Sequence, residues 1–396
     1  MKLPFSLHLI ACLILARVVL AEDNRRLIFA QVLFRHGARA PSAGLTDSRL
    51  EKYFPRGLGA LTDRGYENSY KVGRFLAERY VKSGFLDENM KPREMYWRSV
   101  NINRCLATAA TVGAAMFADA HKHLHPPITT EETDETLLNY DISTCFREQE
   151  VYEKMCPGYL RRSFKTWPQF EAFIADCLNI TQDPIFQQIS FSSMEAHINE
   201  YKNGIPLPEL LENNKDKVFR LYTQTIHKII GVGAHQNLDL MRIKFGNLVR
   251  TLQENMRKAW SCYQKGEKCS KNMNKMKFYS TQDWILMGIL ESFGVLNVTT
   301  AHEMPEYNTM IILELWSNNN IPEIKLLYKK EEVATDLLDV TKYVRNCEGD
   351  SESCSLEDFL SCCSQFWNDG TACKSKNSES STAPFKKRHK RYAGPE

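Results

Sequence analysis

The sequence predicts an α/β fold, a mostly parallel sheet flanked by helices and interrupted by an inserted α-helical cap. Three observations predict it. An apolar run of strand length, residues 27–34 (LIFAQVLF), ends in a Gly/Pro-punctuated turn. Strand and helix patterns then alternate, a rhythm that favours parallel strands joined by helices. The rhythm stops near Asp119 and resumes at Met276, with helical stretches broken by Pro and Gly in between. The expected division is therefore a core of 22–118 with 276–373, and a mainly helical cap insertion, 119–275.

Both ends stand outside this plan. Residues 1–21 read as a secretory signal peptide: Lys2 supplies the charge, 9–20 is mostly apolar, and Ala21 is small enough to precede a cut. Arg17 interrupts the run, which is shorter than the roughly 20 residues of a spanning helix. No integral membrane segment is expected once it is removed. Losing Lys2 and Arg17 takes the formal charge from +3 to +1. Five of the remaining positives, Lys386, Lys387, Arg388, Lys390 and Arg391, sit in the Ser/Lys/Asn-rich stretch 374–396, which reads as a disordered basic tail. The body is mildly acidic and offers no face for nucleic acid.

Twelve cysteines are present, and Cys12 leaves with the signal. In a secreted chain the other eleven read as disulfides with one left over. Spacing alone suggests Cys262–Cys269. A zinc site is not expected, because no C-x2-C pair is followed by a second. Asn179-Ile-Thr181 and Asn297-Val-Thr299 are glycosylation acceptors in a secreted protein.

The first strand runs into Arg35-His36-Gly37-Ala38-Arg39-Ala40-Pro41. Ligands of α/β sheets bind beyond the carboxyl ends of strands. Two guanidiniums there suit a phosphate, whose oxygens match the planar fork. A neutral imidazole between them can attack phosphorus. The plain alternative is a solvated basic turn. Next, Thr62 or Asp63 caps a helix reaching about residue 83, with Tyr66, Tyr70, Val72, Phe75, Leu76 and Tyr80 as its packed face. A short strand, 94–97, ends in Arg98-Ser99, and an Ala-rich helix follows over 103–117. Parallel order brings Arg98 to the sheet edge that carries His36.

Helices are expected at 167–178 and 216–230 in the insertion, and one over 248–260 returns to the core. Then come a strand at 277–280, Thr281-Gln282-Asp283, a helix over 284–293, and strands at 308–316 and 323–328. Asp283 stands at a strand-to-helix junction, as His36 follows a strand. It is either a proton donor and acceptor or a helix N-cap.

Arg35-His36-Gly37-x-Arg39-x-Pro41 resembles the signature of the histidine acid phosphatases. The resemblance runs from about residue 26 to 373 and is to the prostatic and lysosomal branch, including its nematode members. It implies a phosphoglycerate-mutase-like core and a cap that walls the active-site cleft. It implies an acid phosphatase acting on small phosphate monoesters, without metal or other cofactor, in the secretory pathway, either extracellular or lysosomal, and open to assembly as a homodimer. His36 would be the nucleophile, Asp283 the proton donor, and Arg35, Arg39 and Arg98 the phosphate ligands, with Arg104 read as a helix-face residue. It also implies disulfides Cys145–Cys373 and Cys347–Cys354, while a cysteine of the family pattern is missing near Met310.

The chain departs from the family at Gln282, where the usual pair is His-Asp. Gln282 would be a neutral phosphate ligand, at a cost of about 1 kcal/mol, or roughly fivefold to tenfold. The alternative is a relative that binds a phosphorylated ligand with negligible turnover. Three other motifs carry plain readings. His302-Glu303 reads as surface loop, and Cys156-x5-Arg162 as disulfide rather than thiolate chemistry, since Pro157 lacks an N–H. His121, His123 and His125 read as loop residues without a metal.

Overall fold

The computed structural model describes residues 25–121, 123–130, 137–138, 145–266, 269, 273–301, 303–333, 335–347 and 352–368. The stretches 1–21 and 374–396, expected to be a signal peptide and a basic tail, lie outside the described residues, as do His302 and Cys373. One eight-stranded sheet runs through the core in the order β3-β2-β4-β1-β5-β6-β7, with β8 paired to β6. The strands are β1 Arg25–Arg35, β2 Met95–Ser99, β3 Ile128–Thr130, β4 Met276–Thr281, β5 Met310–Asn318, β6 Ile321–Lys329, β7 Leu338–Asp339 and β8 Cys354–Ser355. The longer helices are α1 Asp63–Leu76, α2 Asn103–Met116, α3 Phe146–Met155, α4 Trp167–Cys177, α5 Met194–Lys202, α6 Lys215–Ile230, α7 Leu238–Gln264 and α8 Asp283–Phe293.

β1 is apolar on both faces because both faces are covered. Phe29 and Leu33 point into one core cluster, and Ala30, Val32 and Phe34 into the other. That is the pattern of a central strand in a helix-covered sheet. Gln31 is the polar exception. Its Nε2 donates to Leu252 O at 2.9 Å, and its Oε1 accepts from Asn255 Nδ2 at 2.8 Å. These bonds fasten α7 to the sheet, so the helix expected to return to the core does so, at twice its expected length.

Strands β3, β2, β4 and β1 are parallel, but β5, β6, β7 and β8 run antiparallel to their partners. The sheet is therefore mixed, and the expected parallel order describes the half that carries the candidate site. The cause is local. Asn319 and Asn320, with φ of 50° and 66°, form a two-residue hairpin between β5 and β6, which suits left-handed Asn. β3 also falls inside the stretch expected to be helical. At three residues it is too short to leave a pattern.

The packed face of α1 is partly the expected one: Val72, Leu76 and, just past the helix, Tyr80 are buried. Tyr70 is 46% exposed. The buried residues are Gly65, Asn68, Ser69, Val72, Gly73 and Leu76. Small residues are needed there: a Cβ on Gly73 would meet Val112 O and the Ala115 side chain of α2. Thr62 is the cap, accepting from Gly65 N at 3.3 Å.

Disulfides join Cys156–Cys177, Cys262–Cys269, Cys347–Cys354 and Cys362–Cys363. Cys145 is disulfide-bonded, and its expected partner, Cys373, is outside the described residues. Cys105 is a buried free thiol. Asn179 and Asn297 are both exposed. Among the described residues no helix is long and apolar enough to cross a membrane.

Candidate active site

The parallel register sets Arg35 of β1 beside Thr281 of β4, so the turns after both strands open side by side. The first turn is fixed by its backbone. His36 N donates to Thr281 O at 3.1 Å, Gly37 N to Thr108 Oγ1 at 3.0 Å, and Thr62 N to Ala38 O at 2.9 Å. Gly37 permits this close approach: a Cβ there would lie 2.5 Å from Gly65 O and 2.7 Å from Ser69 Oγ.

His36 is 2% exposed. Its Nδ1 lies 2.9 Å from Gly37 O. A carbonyl only accepts, so Nδ1 carries the proton and Nε2 keeps its lone pair. Burial holds the imidazole well below its ordinary pKa, and Arg104, Arg35 and Arg39 push it further the same way. Both effects favour the neutral ring.

The guanidiniums have firm supports. Arg35 donates Nη1 to Pro305 O at 2.6 Å, pairs Nη2 with Asp283 Oδ2 at 2.6 Å, and lies 4.4 Å over the Tyr307 ring. Arg39 pairs with Glu195 Oε1 at 2.6 Å, and Glu195 raises its pKa against the cost of burial. Glu195 also accepts from Ser42 and Asn199. Tyr307 donates to Asn199 Oδ1 and stands 6.0 Å from the His36 ring.

The second turn carries Gln282 and Asp283. Asp283 Oδ1 accepts from Trp284 N at 2.8 Å while Oδ2 faces Arg35. Asp283 is the first residue of α8, after Gln282 at the N-cap position, so one oxygen bonds the helix's first turn and the other faces the cavity. Gln282 is 3% exposed, and its Oε1 accepts from Arg104 Nη2 at 3.3 Å. Its Nε2 is buried and has no hydrogen-bond partner.

These groups line one cavity of about 60 Å3: Arg35, His36, Arg39, Arg104, Gln282 and Asp283 from the core, with Trp167, Glu171, Tyr222 and Ile226 from α4 and α6. Arg98 does not line it, and Arg104 does. Arg98 lies on β2 beside Tyr279 of β4, two residues short of the end of β4, and acts on that phenol. Arg104 comes after the strand has ended, in the first turn of α2. It is 1% exposed, and burial followed by Arg39 lowers its pKa to about 10. The topological rule that singles out His36 and Asp283 favours Arg104 too, since it selects residues beyond strand ends.

Glu171, Glu195, Tyr222 and Tyr307 were not legible as site residues. Glu171, Glu195 and Tyr222 reach the cavity, and Tyr307 the Arg35 and His36 side chains, from elements that carry no motif. Among the described residues no cluster of His, Cys, Asp and Glu could hold a metal. A larger groove, about 1140 Å3, opens at the opposite end of β1, lined by Arg25, Arg79, Trp260, Lys275 and Trp316 among others. It holds none of the candidate residues.

Residues 26–329 match the family described as histidine phosphatase superfamily (branch 2). The chain is 31% identical to the Caenorhabditis elegans protein named "Putative acid phosphatase 1", over 88% of this chain and 82% of that one. It is 26% identical to human prostatic acid phosphatase, over 93% and 92%. The Hafnia alvei phytase structure superposes with a TM-score of 0.57 at 16% identity, covering 89% of this chain and 99% of that one, a likeness of fold. The chain belongs to branch 2 of the histidine phosphatase superfamily and is a phosphatase-class hydrolase.

Proposed function

We propose that this protein is an acid phosphatase that hydrolyses small phosphate monoesters through a phosphohistidine on His36. The observation that carries the reading is the His36 Nδ1–H to Gly37 O bond, which presents a neutral Nε2 between guanidiniums. Nε2 attacks phosphorus as the bond to the alcohol oxygen breaks. Asp283 gives that oxygen its proton. Asp283 then takes a proton from water, whose oxygen attacks the phosphohistidine, and phosphate leaves. Arg35, Arg39 and Arg104 hold the equatorial oxygens, the main source of phosphoryl-transfer catalysis. Gln282 Nε2, a buried donor without a partner, is the neutral phosphate ligand in place of the family imidazole. The exposed Asn179 and Asn297 suit glycosylation in the secretory pathway, outside the cell or in lysosomes.

The test is hydrolysis of an aryl phosphate from pH 4 to 8 with chelator present, for wild type and His36→Ala. Activity at acid pH that persists with chelator and vanishes in His36→Ala is the expected result. Folded wild type that binds phosphate without turnover would make the chain a phospho-ligand-binding protein, with Gln282 as the lesion.

A further inference from the structure

Two carboxyl groups of the cavity each face a guanidinium: Asp283 has Arg35, and Glu195 has Arg39. Glu171 differs. It comes from the buried face of α4, is 1% exposed and lines the same cavity. Tyr222 Oη donates to its Oε1 at 2.7 Å, and Trp167 is a second hydrogen-bond partner. Its charged neighbours of consequence are Glu195 and Asp283, both of the same sign. Among the described residues no cation forms an ion pair with it. A buried carboxyl in such company keeps its proton.

We propose that the Glu171 carboxyl is a specificity-determining hydrogen-bond donor to an oxygen on the alcohol half of the substrate. The proposal rests on the site's reading as a phosphoester site. A carboxylic acid that already accepts from Tyr222 and Trp167 has its O–H left to give. The cavity is where an acceptor can meet it. The walls beside it, Trp167, Trp284, Ile198, Ile226 and Met304, are apolar. The chemistry selected is a monoester of an aromatic or apolar alcohol that bears a hydroxyl or carbonyl oxygen. Burial, with the two carboxylates helping, raises the Glu171 pKa to about 8, so the donor is present at acid and neutral pH.

The other groups facing this position are Tyr222 on α6, Glu195 and Lys202 on α5, Asp283 on α8, Arg35, His36 and Arg39 at the end of β1, and Arg104 on α2. A substitution at Glu171 itself separates its titration from theirs. Binding should be measured on a His36→Ala background, which needs no turnover. The matched ligands are 4-(hydroxymethyl)phenyl phosphate and 4-methylphenyl phosphate, at pH 5.5 and pH 9.

At pH 5.5 the hydroxymethyl ester should bind more tightly by roughly threefold to tenfold, the worth of one hydrogen bond. Glu171→Met should erase the preference and leave inorganic phosphate affinity unchanged. Glu171→Gln, which keeps a donor, should hold the preference at both pH values, while the unsubstituted background loses it at pH 9. Equal affinity for the two esters at pH 5.5 would overturn the proposal. So would a preference that survives in Glu171→Met, or one that shows the same pH dependence in Glu171→Gln. If Glu171→Met fails to fold, the Glu171→Gln comparison decides. Wild type that discriminates in binding yet hydrolyses neither ester would remove the enzymatic reading and leave this one.

Discussion

The turns after β1 and β4 lie side by side and are built in opposite ways. After β1 the backbone is pinned: His36 N, Gly37 N and Ala40 N all donate, and the carbonyls of His36 and Ala38 accept from Asn308 N and Thr62 N. At the end of β4 and just past it, two buried polar atoms, Thr281 Oγ1 and Gln282 Nε2, have no partner. A buried polar group left unsatisfied costs about 1–3 kcal/mol. The backbone thus holds His36, the proposed nucleophile, in place, while Gln282 Nε2, like Arg39 Nε across from it, is a donor that an anion would satisfy. In the first turn the sequence is constrained by sterics; on the proposed reading the second is constrained by its ligand.

That contrast can be broken from either side. Largest should be Arg104→Met set against Arg98→Met. On the site as built, the former loses a donor to the phosphate and should cost about 10^2–10^3 in kcat, while Arg98→Met should leave kcat within about threefold. Equal losses in the two variants would return Arg98 to the phosphate. Next, Gly37→Ala attacks the pinned turn. Its Cβ cannot fit between Gly65 O and Ser69 Oγ, and displacement of His36 by even a fraction of an ångström should cost on the order of 10^2 in kcat. Retained kcat with only a lowered Tm would mean that the turn is less rigid than its hydrogen bonds imply.

The slack turn should respond in the other direction. Gln282→His restores a donor that can carry charge, and kcat/KM for an aryl phosphate should rise roughly fivefold to tenfold. An unchanged value would show that the amide of Gln282 already serves the phosphate fully, and that Arg104, which holds its Oε1, compensates for the missing imidazole.

What the sequence made legible follows from the same division. β1 is contiguous with its turn, and β4 with Gln282-Asp283, so strand patterning and a short motif expose each pair together. Arg104 was within reach, since it stands in the helix turn after β2, but Arg98 ended the visible strand and drew the assignment. Glu171 and Glu195 leave no local trace. Each sits on a helix whose buried face is otherwise ordinary, and only the packing of α4, α5 and α6 over the sheet brings them to the cavity. The antiparallel half was hidden for a different reason: β5 and β6 read as strands under either polarity, and only Asn319-Asn320 between them marks the reversal.

The smallest effect separates His36 from Glu171 by the sign of its pH dependence. Burial lowers the His36 pKa from 6.5, so below pH 6.5 the unfolded chain binds a proton that the folded one refuses, and stability falls as the solution is acidified. Burial raises the Glu171 pKa from 4.5 to about 8, so across that window the folded chain holds the extra proton, and stability falls as pH rises. Glu171→Gln removes the second dependence alone. Relative to wild type, the variant should gain stability with pH between 4.5 and about 8, approaching a slope of about 1.4 kcal/mol per unit in mid-window. Urea unfolding midpoints at intervals of one pH unit would read it. Parallel curves for the two proteins would mean that Glu171 ionises near its ordinary pKa, and that the cavity wall carries a third negative charge instead of a hydrogen-bond donor.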